Sequence, residues 1–147
     1  MRSIEAIIKD IDEYVPVNGQ RSTVNGEWES LDELIDEACT LNDRRVVKPL
    51  LGVLERNQDH DGYGAFWSIV HGLESLEGYE SDLAASVLSR PHEMGVLMLN
   101  RMLNGGIQKI DGRLVLEILE EIGATPAFPI SIREEANHFL AYQRDSM

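Results

Sequence analysis

Three short constellations in the chain carry residue types that hold metals or attack bonds. Asp59-His-Asp-Gly62 opens with carboxylates and a glycine, as calcium loops do. An EF-hand loop needs oxygen ligands at alternating positions and a bidentate Glu at its end. Here two early carboxylates are followed by Phe66-Trp67 where further ligands are needed. A polar loop with glycine turns accounts better for the stretch. His60, His71, His92 and His138 never fall in HxxxH or Cys/His spacing. Glu135-Ala-Asn-His138 matches the Glu-x-x-His of carboxylate-bridged bundles, which need two such motifs, and it occurs once. Cys39 lies in Ala-Cys-Thr-Leu at the end of an amphipathic helix, without a nucleophile signature. Its expected role is that of a small buried hydrophobe. Nucleotide loops, GxSxG and dinucleotide fingerprints do not occur. The expectation is a protein with no catalytic residue, metal or cofactor.

The helix after Gly64 is more informative. Phe66, Ile69, Val70, Leu73 and Leu76 follow helical spacing and form its main apolar face. Tyr63, Trp67, His71 and Glu74 recur in a second stripe, and the third side is small: Ser68, Gly72 and Ser75. Such a helix is expected to be touched on more than one side, the small residues letting a neighbour approach closely. Trp67 and His71 are then read as packing between helices, with Tyr63 and Glu74, nearer the ends, more exposed.

The elements around this helix are also helical. Ile4, Ile7, Ile8 and Ile11 mark a first helix from Ser3 to about Val15, ended by Pro16, with Asp10, Asp12 and Glu13 off its apolar face. Residues 16–26 are rich in turn formers and read as an exposed loop. Ser30-Leu-Asp-Glu33 has the form of a capping box opening a helix to Leu41, whose other face is Asp32, Glu33, Asp36 and Glu37. Asn42 is read as the cap of the next helix, where Pro49 should kink it or mark its first turn. Further helices are expected from Ser81, from Ser89 with Pro91 in the first turn, from Asp111 to Ile122, and from Ser131 to Arg144; no strand is expected.

The class is therefore all-α, with about seven or eight helices in one domain spanning 1–147. Residues 1–29 form an N-terminal helix and loop, 30–122 three helix pairs, and 123–147 a Pro-containing link and capping helix. The pairs are 30–41 with 42–56, 64–76 with 81–90, and 91–104 with 111–122. Val46-Val-Lys-Pro-Leu-Leu-Gly-Val-Leu54 resembles the second helix of a HEAT repeat, and stacked pairs would make a short α-solenoid. An irregular helical bundle explains the same helices.

Charge narrows the partners. With 26 acidic and 13 basic residues among 147, the net charge is −13. Binding phosphates requires clustered Lys and Arg, so nucleic acid is not expected as a direct partner, nor is an anionic membrane surface. A basic protein is the natural partner, because opposite fields steer association. Hydrophobic content of 43% fits a globular protein. No apolar run has the length of a membrane helix, and MRSIEAIIKDIDEYV has no signal-peptide core. With one cysteine, the expectation is a cytoplasmic protein, a monomer by default.

Gly62-Tyr-Gly-Ala-Phe-Trp-Ser-Ile-Val-His-Gly-Leu-Glu-Ser-Leu76, with the helices after it, resembles the all-helical immunity proteins of bacterial polymorphic toxin and contact-dependent growth inhibition systems. The nearest is the immunity family numbered thirty. The resemblance spans roughly Asn42 to Ile122. It implies a small cytoplasmic protein that binds and neutralises one cognate toxin, often a nuclease, whose basic substrate groove an acidic inhibitor can occupy as a phosphate mimic. On this reading the partner-binding residues are Glu74, Glu77, Glu80, Asp82, Glu117, Glu120 and Glu121, with Tyr63 and Tyr79 as aromatic anchors of the type enriched in hot spots. The alternative is a HEAT-like adaptor that scaffolds other proteins without a toxin.

Overall fold

The computed structural model describes residues 2–14, 26–58 and 65–146. They form eight α-helices, one 3₁₀ turn and a two-stranded hairpin, so the chain is all-α as expected. The chain groups into two compact units, Met1–Val53 with Asp61–Tyr79, and Leu54–His60 with Glu80–Met147.

In the first unit, α1 (Ile4–Asp12) has only nine residues, too few to be stable alone in water. Ser3 caps it, its Oγ accepting from the Ala6 amide at 3.2 Å. Ile7 and Ile11 are fully buried, and burying a side chain of that size stabilises by ~1.5–3 kcal/mol. Tertiary packing therefore makes the helix. Its neighbour α2 (Gly26–Thr40) buries Leu31, Ile35 and Ala38. It begins four residues before the Ser30 capping box, because Glu27, Trp28 and Glu29 continue the helix toward the N-terminus.

Asn42, at φ 50°, takes the left-handed turn that ends α2 and is not the next cap. Asp43 caps instead, its carboxylate accepting from the Arg45 amide at 2.9 Å. A 3₁₀ turn (Arg44–Val46) leads into α3 (Val47–Arg56), whose third residue is Pro49. Proline is tolerated in a first turn because the amide it lacks has no carbonyl partner there. This is the first-turn placement expected of Pro49.

The unit closes with α4 (Ala65–Glu74), which buries Phe66, Ile69, Val70 and Leu73. Its main packing partner is α2, which also packs on α1. The small side of α4 makes this possible. A Cβ on Gly72 would overlap Cys39 Sγ and lie 3.7 Å from Ile35 Cγ2, so only glycine lets the two helices meet at this distance.

In the second unit, α5 (Tyr79–Ser89) buries Leu83 and Val87, and α6 (Glu93–Asn104) buries Met94, Val96, Met98, Leu99 and Met102. Helix α5 starts two residues before Ser81, with Glu80 and Asp82 in its first turn where carboxylates offset the helix dipole. Helix α6 is capped by His92 rather than Ser89, and Pro91 precedes the cap.

Asp111 does not open a helix. Asp111 (φ 52°) and Gly112 (φ 82°) form the tight turn of a hairpin, β1 (Lys109–Ile110) with β2 (Arg113–Leu114). Two consecutive residues with positive φ are the Asp-Gly hairpin signature, and it prevails over the helical pattern at that point. Helix α7 (Val115–Ala124) follows directly, then α8 (Ile130–Asp145). The two pack extensively on one another, and α8 also lies on α6. Val115, Ile118, Leu119, Ile122, Ile132, Ala136 and Leu140 are buried. The main partners thus pair α2 with α4 and α7 with α8, and of the pairs read from the sequence α6 also packs on α7.

The Gly72–Cys39 contact gives a test by thermal or urea unfolding. Gly72→Ala should destabilise by ~1–3 kcal/mol through overpacking. Adding Cys39→Ala removes Sγ and leaves the nearest Cys39 atom at 3.7 Å. The double variant should therefore be more stable than the two single losses predict.

Candidate protein-binding surface

The side chains that sequence spacing singled out are divided between the two units. Tyr63 and the Asp59–Gly62 stretch lie outside the described residues. Glu74, the last residue of α4, is half-buried. Glu77 is exposed and lines a cleft of about 380 Å³ with Asn42, Arg44, Leu76 and Gly78. There the Arg44 guanidinium donates to the Gly78 carbonyl at 3.3 Å. Tyr79 is only 7% exposed. It belongs to the core at the start of α5, where an exposed anchor was expected.

Glu80 and Asp82 are half-buried. On α7, Glu117, Glu120 and Glu121 are all exposed. Glu120 is held by Arg144 and Glu121 by Arg113. That leaves Glu117 without an ion pair among the described residues. Two of the three α7 carboxylates are therefore already compensated within the unit.

A denser acidic site lies in the first unit, where α1 and α2 pack. Both helices bury an apolar stripe, Ile7 and Ile11 on α1 and Leu31 and Ile35 on α2, and residues of both acidic faces line one cleft of about 420 Å³. It is lined by Arg2, Asp10, Glu13, Tyr14, Glu33, Leu34 and Glu37. Arg2 grips Glu37 through two nitrogens, at 3.1 and 2.6 Å, and also pairs with Asp10. The guanidinium holds the Glu37 carboxyl below its ordinary range, and Glu37 in turn raises the pKa of Arg2. Among the described residues Glu13 and Glu33 have no cation, so the cleft presents net negative charge.

Each acidic face was visible in the sequence. That the two converge depends on which helices pack together, and neither spacing nor composition carries that information.

Trp67 and His71 depart from expectation. Trp67 is 39% exposed and His71 is exposed, with ring centroids 5.8 Å apart. The apolar and small sides of α4 take its neighbours, which leaves this third stripe at the surface. Cys39 is half-buried, and burial raises its thiol pKa to about 11, with Asp36 nearby adding to the shift. It is a thiol and not a thiolate at neutral pH.

The second unit holds a buried polar chain that spacing did not reveal. His92 is 1% exposed, and its Nδ1 accepts the Gly95 amide at 3.0 Å. The Nε2 atom lies 2.9 Å from Ser86 Oγ, which donates to Glu55 Oε2 at 2.6 Å. Because Nδ1 accepts, the proton of the neutral ring sits on Nε2 and points at Ser86. The ring in this tautomer cannot take the Ser86 proton, and the chain works as a helix cap with a fixed donor order. Histidine is not among the preferred N-cap residues, which is why spacing pointed to Ser89.

Glu135 is half-buried and His138 exposed, and no group of three or more potential metal ligands occurs among the described residues. None of their helices is long and apolar enough to cross a membrane. Comparison with protein-family models, with curated proteins and with solved structures gave no match.

Burial lowers the pKa of His92 to about 3, against ~6.5 in an unfolded chain. The folded state thus favours the neutral ring. Its contribution is full above pH ~6.5 and is lost as pH falls toward 3, at up to ~1.4 kcal/mol per pH unit. Urea unfolding between pH 7 and 4 should show a steeper loss of stability in the wild type than in His92→Asn, which can still cap α6 but does not titrate. Parallel pH profiles would contradict this assignment.

Proposed function

We propose that the chain is an immunity protein that binds and neutralises a cognate bacterial toxin domain, a basic nuclease, in the cytoplasm. One observation carries the reading. Two helices bring four carboxylates, Asp10, Glu13, Glu33 and Glu37, into one cleft with Arg2 as the only cation among its lining residues. A protein surface built to grip phosphates is lined with Lys and Arg. An acidic cleft offers such a surface carboxylates in place of phosphates.

The remaining charge supports the same reading. At −13 the whole molecule steers a basic partner toward itself. Electrostatic complementarity raises the association rate and rejects acidic proteins. Such an inhibitor acts by occupancy and needs no catalytic group. Glu77 and Glu117 extend the exposed acidic surface of their respective units, and Arg2 would be displaced or shared when a partner's guanidinium enters the cleft.

Co-expression with the toxin domain encoded directly upstream tests the reading. The wild-type chain should protect the cell and bind that domain, with affinity falling as salt rises. The Glu13→Lys/Glu33→Lys variant should bind about tenfold or more weakly, with an unchanged helical spectrum. Glu134→Lys, on α8 of the other unit, serves as the charge control. Absence of binding, or equal weakening by both variants, would overturn the assignment.

A further inference from the structure

The acidic cleft of the first unit already holds a guanidinium, that of Arg2. Its Nε and one terminal nitrogen donate to the two oxygens of Glu37, at 3.1 and 2.6 Å, and the other terminal nitrogen donates to Asp10. Two parallel bonds to one carboxylate need the planar fork of arginine, which lysine lacks. The occupant, and not acidity alone, therefore defines the class of cation that the seat takes.

Arg2 is attached in a way that lets it leave. Ser3 is the N-cap of α1 and has extended backbone, φ −68° and ψ 154°, so Arg2 stands outside the helix. Among the described residues, every hydrogen bond of Arg2 runs from its guanidinium to Glu37 or Asp10. Its departure breaks no helical bond and leaves the Ser3 cap on the Ala6 amide in place. The Arg2, Asp10 and Glu37 side chains are 44%, 47% and 33% exposed, and ion pairs at such exposure are weak. Glu13 and Glu33 line the same cleft, so an incoming cation meets more negative charge than Arg2 neutralises.

We propose that Arg2 is an internal stand-in for an arginine of the partner. It fills the Glu37–Asp10 seat in the free protein and gives it up when the partner's guanidinium enters. The cleft is thus kept partly neutralised until a better-placed guanidinium competes for it. This deepens the immunity reading by adding a regulating contact to the same cleft, and it rests on that reading for the identity of the partner. Its test needs no toxin.

The full chain is titrated with N-acetyl-arginine amide, with N-acetyl-lysine amide as the matched control. The carboxyl carbon resonance of Glu37, assigned through Glu37→Gln, reports occupation of the seat. Arginine amide should shift it at lower concentration than lysine amide. In Arg2→Ala the half-saturating concentration of arginine amide should fall about fivefold, because no internal cation has to leave first. Lys48→Ala removes the same charge from an exposed position of α3 outside the cleft lining, and should change that concentration less than about twofold. An unchanged or raised concentration in Arg2→Ala, or an equal fall in Lys48→Ala, overturns the proposal. If Arg2→Ala fails to fold, the wild type still decides: its Arg2 Nε–H resonance should move as arginine amide saturates the cleft, and a resonance that stays in place overturns the proposal. A chain that exchanges Arg2 in this way yet fails to neutralise the toxin overturns the immunity reading alone.

Discussion

Like-charge repulsion is the constraint to which the rest of the molecule is fitted. Twenty-six carboxylates face thirteen Lys and Arg side chains within 147 residues. None of those carboxylates is buried among the described residues. Helices α1, α2 and α7 therefore each combine an apolar stripe to pack with and an outer face rich in carboxylates. Repulsion of this kind works against the compact state, so packing has to hold it together.

Four arginines pair with carboxylates near them. Arg2 bridges Glu37 and Asp10, Arg45 serves Asp43 and Glu5, and in the second unit Arg113 and Arg144 hold Glu121 and Glu120. All are exposed or half-buried at the surface, and surface pairs of this kind contribute little to stability and are screened by salt. They relieve local repulsion without cancelling the field. Cohesion comes from close approach instead: Gly72 against Cys39 in the first unit, and the α7–α8 pair with the buried His92 cap in the second. The negative field that remains is then available to a partner of opposite sign.

Much of this was legible in the residues. Periodic apolar residues marked the cores of α1 and α4, and the small side of α4 announced a close neighbour. Helix ends were less legible, because they depend on local chemistry that periodicity averages out. Asn42 in the left-handed region, the Asp111-Gly112 turn and the His92 cap each moved a boundary. Burial of Tyr79 and exposure of Trp67 ran opposite to expectation for a common reason. Both residue types suit a core or an interface equally well, and only the choice of packing partners decides between them. The acidic cleft shows the same limit, since each of its walls was readable and their meeting was not.

The central claim is that the surface field is uncompensated and held in place by packing. Thermal unfolding of the isolated protein between about 0.02 and 0.5 M NaCl, a range over which the Debye length shrinks severalfold, tests it most directly. The account predicts that the midpoint rises steadily with salt, as screening relieves repulsion among the carboxylates. A midpoint that falls with salt would mean that the ion pairs outweigh the repulsion, and the molecule would then have no excess field with which to capture a basic partner.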